Sequence, residues 1–198
     1  WDTSAVTEMS YMFSGATSFN QDLTADSITH AWDVSNVVFM NGMFRKAVAF
    51  NGDIGNWNVS SVVYANSMFQ GAKAFDQDIS GWDTSSMQDM NHMFASSFDP
   101  DCECLIGGMH FNHPIGDWTL SNTTDIHYMF EGNTAFNQPL SGWDVSHVED
   151  MAGLFSGASA FAQDISRWNT SNVQNMGDMF SGGEMMVPEG GESDTVPS

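Results

Sequence analysis

The chain has 198 residues, 41% of them hydrophobic and 13% aromatic, enough apolar material for a packed interior. Its charge is one-sided: 25 Asp and Glu stand against Arg45, Lys46, Lys73 and Arg167, a formal net charge of -21. Such a balance repels phosphate backbones and anionic lipid headgroups, which argues against nucleic-acid partners and direct membrane insertion. No apolar run is long enough to span a bilayer. Two cysteines, close together in sequence, exclude a disulfide-stapled scaffold.

Internal repetition dominates the rest of the reading. One pattern begins at Trp1, Trp32, Trp57, Trp82, Trp118, Trp143 and Trp168, and so uses every tryptophan in the chain. The spacing between starts is 25 residues except where 31 and 36 residues separate Trp1 from Trp32 and Trp82 from Trp118. Residues 1–183 therefore read as seven copies with insertions near 24–31 and 98–110. Residues 184–198, rich in Gly, Pro and Glu, read as a linker or arm.

Each copy can be followed in chain order as a set of columns. Behind the opening Trp lies Asp or Asn, except for Thr119 in the fifth copy, and two positions later serine in every copy, including Ser35, Ser60, Ser85 and Ser146. Serine just ahead of a periodic apolar segment suits an N-cap, its hydroxyl accepting from a backbone N–H two or three residues on. The apolar segment steps by three and four, as in Val6, Met9, Met12, Phe13 and Ala16, and predicts a short α- or 3₁₀-helix. The Met column, with Leu154 substituting once, reads as core rather than as copper ligands. Phe44, Phe69, Phe94 and Phe130 belong to the next column. Gly15, Gly71, Gly132, Gly157 and Gly182 follow two positions later, where a left-handed C-terminal turn fits.

The second half of each copy runs Phe-Asn-Gln-Asp-Ile, as at Phe19 to Leu23. A short parallel strand is expected there, with the Val-x-x-Met segment as the alternative placement. Asn20, Asn51 and Asn137 would bond backbone groups at a corner. The expected fold class is α/β: a leucine-rich-repeat-like solenoid of about seven 25-residue turns, short parallel strands on one face and short α/3₁₀ helices on the other.

The string W-D-[VT]-S-x-V-x-x-M-x-x-M-F-x-G-A-x-x-F-N-Q-D-[IL] resembles the surface-protein repeat of about twenty-six residues found in bacterial lipoproteins and in secreted proteins of protists and microalgae. That family is similar in turn to BspA-like leucine-rich repeats. The resemblance implies an extracellular or cell-surface location and supplies no catalytic residues. A non-enzymatic structural or adhesive protein is the expectation. The alternative is a surface module that recognises a peptide, glycan or calcium through its insertion loops and acidic column. The array opens on a full copy and stops within the seventh, and head-to-tail self-association into a filament is expected from that arrangement.

Several clusters carry chemistry on paper. Asp22, Asp53, Asp78 and Asp164 form a column that either binds calcium, which takes several oxygen ligands, or is a solvated acidic face. Cys102, Cys104, His110 and His113 are four candidate ligands for zinc or copper, in a spacing unlike a standard structural zinc site. A strained disulfide, a bridge to another chain and a loop with two free thiols are the other readings of that cysteine pair. Asn58, Asn122 and Asn169 head N-x-S/T sequons and are candidate glycosylation sites in a secreted protein. His30, His92, His127 and His147 occupy different repeat positions and form no triad. No phosphate loop or nucleophile motif is present, so neither an enzyme nor a cofactor other than calcium is expected.

Overall fold

The computed structural model describes residues 1–24, 32–99, 104–106 and 108–182. Among these residues there is no helix, and none therefore is long and apolar enough to cross a membrane. The strands are β1 (Ser97–Asp99) and β2 (Cys104–Ile106), paired antiparallel as a hairpin with Asp99 opposite Cys104. The expected α/β solenoid of helices and parallel strands is overturned.

Each copy is instead a rung made of turns. Within a rung, N–H groups bond three residues back: Met12 to Met9, Ser14 to Tyr11, Ala16 to Phe13 and Phe19 to Ala16, at 3.0–3.3 Å. The N–H groups between them leave the rung. Met9, Tyr11, Phe13 and Gly15 donate to the carbonyls of Phe39, Asn41, Met43 and Arg45 in the next copy, at 2.7–2.9 Å. An α-helix needs consecutive donors bonded four residues back, and here every second donor is spent on a neighbour.

Backbone hand blocks a helix too. Tyr11, Gly42, Ser67, His92, Tyr128, Gly153 and Asp178 have φ between 53° and 59°, one left-handed residue in the middle of each copy's apolar segment. Gly15, Gly71, Gly132, Gly157 and Gly182 are left-handed as well, with φ of 64–71°, at the third position of a turn rather than after a helix. Lys46 takes that place in the second copy. Steps of three in the apolar pattern thus record linked turns, each closed by a bond from an N–H to the carbonyl three residues back.

Among the described residues, parallel bridging uses one residue per copy in the Val-x-x-Met segment, with one further bridge between Met109 and Asn133. Glu8, Phe39, Tyr64, Asp89, Asp125, Asp150 and Asn175 bridge in succession. The strands expected across Phe-Asn-Gln-Asp-Ile do not form. That segment is held by side chains: Asn20 Oδ1 accepts from Asn51 N, Asn51 Oδ1 from Asp76 N, Asp76 Oδ1 from Asn112 N, Asn112 Oδ1 from Asn137 N and Asn137 Oδ1 from Ala162 N. Asp76 replaces Asn there because only an acceptor is needed. An amide or carboxylate oxygen does at this corner what a carbonyl does in a sheet.

Rings fill the centre. Phe13, Phe44, Phe69, Phe94, Phe130, Phe155 and Phe180 stack from copy to copy with centroids 5.4–5.8 Å apart. A second column, Phe19 to Phe161, runs beside it at 5.8–6.4 Å. Tryptophan closes the rung: Trp57, Trp82, Trp118, Trp143 and Trp168 donate Nε1 to Leu23, Ile54, Ile79, Ile115 and Leu140, each in the copy two before. Trp32 packs on the core from its margin, against Phe13. Most of these rings are fully buried. Their burial is the main source of stability, because the short rungs contribute little hydrogen-bonded structure of their own.

The hairpin leaves the fourth rung without breaking the stack. Ser96, fully buried, donates its hydroxyl to Gly132 O at 2.8 Å and accepts from Met109 N at 3.1 Å, clamping the two feet of the insertion. Ser96→Ala strands a buried N–H and a buried carbonyl, and denaturant titration is expected to show a loss of about 1–3 kcal/mol. Residues 25–31 of the first insertion, Cys102 and the arm lie outside the described residues.

Candidate functional site

The expected serine cap is reversed. In six copies the preceding Asp or Asn is the acceptor, and serine gives it its own backbone N–H: Asp33 Oδ1 takes Ser35 N at 2.9 Å, Asn58 takes Ser60 N, Asp83 takes Ser85 N and Asp144 takes Ser146 N. Asp2 with Ser4 and Asn169 with Ser171 do the same. These are Asx-turns, and the hydrogen bonds from serine hold the Asp33, Asp83 and Asp144 carboxyls below their ordinary range.

The candidate calcium column is engaged in the same manner. Asp53, Asp78 and Asp164 each accept from the backbone two residues on, at Gly55, Ser80 and Ser166, while Asp22 accepts from Asp53 N. All four are exposed. Ser80 and Ser166 hold Asp78 and Asp164 low. Among the described residues, no three His, Cys, Asp or Glu are gathered as a metal site.

His113 shows why it falls in a glutamine column. Gln77, Gln138 and Gln163 reach back with Nε2 to the preceding copy's Asn carbonyl, at 2.8–3.0 Å. His113 Nε2 reaches Asp76 O at 2.9 Å and so takes the same place. His110 is exposed, Cys104 begins β2, and Cys102 lies outside the described residues, so the four candidates are not seen together.

The sequons also separate. Asn58 and Asn169 are exposed and use Oδ1, not Nδ2, in their Asx-turns. Asn122 instead donates Nδ2, the atom a glycan would occupy, to Ser85 O at 2.7 Å, as Asn36 and Asn172 do to Ser4 and Ser146.

What column reading missed is a pair of histidines that neighbouring copies bring together. His127 stands one position before His92's column, yet their rings meet edge to face at 4.9 Å, and His92 lies against Tyr128 at 5.2 Å. Asp125 Oδ1 accepts both the backbone N–H of His127 and its Nδ1, the latter at 2.6 Å. Asp89, one rung back, accepts from the backbone and amide of Asn91. The row Asp89, Asp125 and Asp150 in one column was the available signal.

Environment drives these groups apart. Hydrogen bonding to Asp125 raises His127 against the cost of burial, with Asp150 and Asp89 adding to the effect. Burial would raise Asp125, but the His127 side-chain and backbone hydrogen bonds outweigh it and leave that carboxyl low. Burial raises Asp89. His92 is pushed down to about 4, first by burial and then by the positive charge of His127, with Arg45 adding and Asp125 opposing.

A histidine held below its ordinary 6.5 is bound neutral by the native state, while the unfolded chain takes up the proton. Its contribution to stability is complete above pH 6.5 and is lost as pH falls from 6.5 towards about 4. His92 is only partly buried, so after solvent screening the loss is on the order of 1–2 kcal/mol. His92→Asn keeps a residue that tolerates the left-handed backbone. Urea titrations across that window are expected to give a shallower pH slope for this variant than for the parent.

Beside the histidines runs a shallow groove of about 360 Å³ lined by Tyr11, Arg45, Ser67, Gln70, Asn91 and His92, one or two side chains from each of the first four copies. Arg45 Nε donates to Gln70 Oε1 at 2.8 Å. Tyr11, 54% exposed, lies over Gly42, where a Cβ would come within 2.5 Å of its ring and 3.5 Å of Arg45 Cβ. A second recess, between copies 5 and 7, is lined by Ser121, Asn122, Thr124, His147, Glu149, Asn172 and Gln174. Neither holds a nucleophile paired with a base.

Stacked copies, shared aromatic columns and side-chain ladders define a repeat protein. The chain belongs to the family described as Mycoplasma protein of unknown function, DUF285, whose model matches residues 1–104 and again 102–191. No curated protein and no solved structure matches it.

Proposed function

We propose that the protein is a non-enzymatic structural or adhesive repeat module displayed on the cell surface. The observation that carries this reading is the uninterrupted aromatic core, in which six successive ring contacts join the first copy to the seventh. A stack tied at every rung by rings, Trp N–H bonds and Asn oxygens resists bending and suits a spacer or a display scaffold. The one-sided charge of -21 supports solubility and discourages collapse onto anionic surfaces. The resemblance of the repeat string to bacterial and protist surface-protein repeats supports the location.

Protease shaving of intact source cells tests it. Peptides from this chain should be released while cytosolic markers stay inside. Full protection of the chain until the cells are lysed would overturn the reading. Head-to-tail association belongs to the same proposal, and sedimentation velocity over a range of concentrations is its measure.

A further inference from the structure

We propose that the groove across the first four copies binds a saccharide carrying a carboxylate, with Arg45 taking the acid group. The inference extends the adhesive part of the function proposed above and rests on it. Three observations point to this ligand.

The first is unspent polar capacity. Elsewhere on the stack, the Asn corner, the Gln column, the Asx-turn acceptors and Trp57 to Trp168 spend polar atoms on the backbone of another copy or of their own turn. Within the groove Asn91 is spent on Asp89 and His92, whereas the Arg45 bond to Gln70 uses Nε and leaves both terminal nitrogens of the guanidinium, and Gln70 keeps its amide nitrogen. Ser67 and Tyr11 contribute hydroxyls. Such a set of donors and acceptors, spread over a shallow surface, matches the hydroxyls of a sugar better than the side chains of a peptide. A peptide would need an unpaired strand edge or apolar pockets, and this groove offers neither.

The second is local charge. The lining carries Arg45 and no carboxylate, in a chain with 25 acidic residues. His92 is uncharged at neutral pH. Arg45 is thus the charged side chain of the lining, with the Asp89 carboxylate bonded to Asn91 beside it. A planar guanidinium held in place by Gln70 is suited to two parallel bonds with a carboxylate.

The third is the Tyr11 ring. One side covers Gly42 and the other is open to solvent, so an apolar sugar face can lie on it beside the Arg45 stem. Only glycine at position 42 permits that placement, because a Cβ would meet the ring.

Saturation-transfer NMR and calorimetry on the full chain, with a galacturonic acid tetramer as probe and its methyl ester as the neutral control, test the proposal. The acid is expected to bind about tenfold or more tightly than the ester, as suits one charge-assisted pair. Arg45→Gln should abolish that preference. Tyr11→Ala should weaken both probes, and transfer signals should come from Tyr11. Both positions are at the surface, and unchanged melting curves would confirm that the variants fold. Equal binding of acid and ester, no binding of either, or equal competition by an acidic peptide would each overturn the inference. Any of these results leaves the surface-display reading intact, since cell shaving tests it separately.

Discussion

Phe69→Ala is expected to destabilise the protein by about 3–5 kcal/mol, with no change in the architecture of the remaining copies. Phe69 is fully buried and touches rings on four sides: Phe44 and Phe94 along its column at 5.7 and 5.8 Å, Phe75 at 3.9 Å and Trp82 at 6.2 Å. Truncation removes the burial and leaves a cavity between rungs whose spacing is fixed by hydrogen bonds, so little collapse can refill it. Phe180 is the comparison. It is only partly buried and its recorded ring contact is with Phe155 at 5.7 Å, so Phe180→Ala should cost clearly less. Denaturant titrations giving equal losses at the two sites would contradict stability built from contacts between adjacent copies.

Trp118→Ala is the second large effect, again about 3–5 kcal/mol. The indole stacks on Trp82 at 6.3 Å, leans on Phe94 at 6.1 Å and bonds Ile79 O at 3.2 Å. It lies just beyond the 36-residue interval that contains the hairpin, where it continues the column past the insertion. Trp118→Phe separates the two contributions. Most apolar area survives in that variant, whereas the Ile79 carbonyl loses its donor, and a loss of about 1–2 kcal/mol is expected. If both variants cost the same, the hydrogen bond rather than the stacked ring dominates this column.

Repeat number, register and the inward columns were legible in the sequence because seven copies present the same side chains at fixed offsets. The recurring Trp, Met and Phe face the core in the inner copies, whereas Trp1, Met12 and Met176 in the end copies are exposed. The side-chain ladder was partly legible as well: Asn recurs at one corner because an oxygen is needed there, and Asp76 meets the need equally well. The roles of Ser35 and its equivalents were not, since Asp-x-Ser is compatible with either residue accepting the bond. The histidine pair was hidden by its offset. His92 and His127 stand in different columns, and only the lateral approach of copies 4 and 5 makes them neighbours.

Local conformation was decided by tertiary structure. A three-and-four apolar spacing is shared by a helix and by a chain of turns bonded three residues apart, and the sequence alone cannot tell them apart. What separates them is where alternate N–H groups go. A lone copy has no partner for the donors of Tyr11, Phe13 and Gly15, and a helix would satisfy them locally. Once copies stack, the carbonyls of Asn41, Met43 and Arg45 stand 2.7–2.8 Å away, and left-handed residues turn the chain to meet them. The seven-copy frame and its apolar interior are therefore properties of this sequence, while the turns that stand in place of helices among the described residues and the groove from Tyr11 to His92 exist only because rung lies on rung.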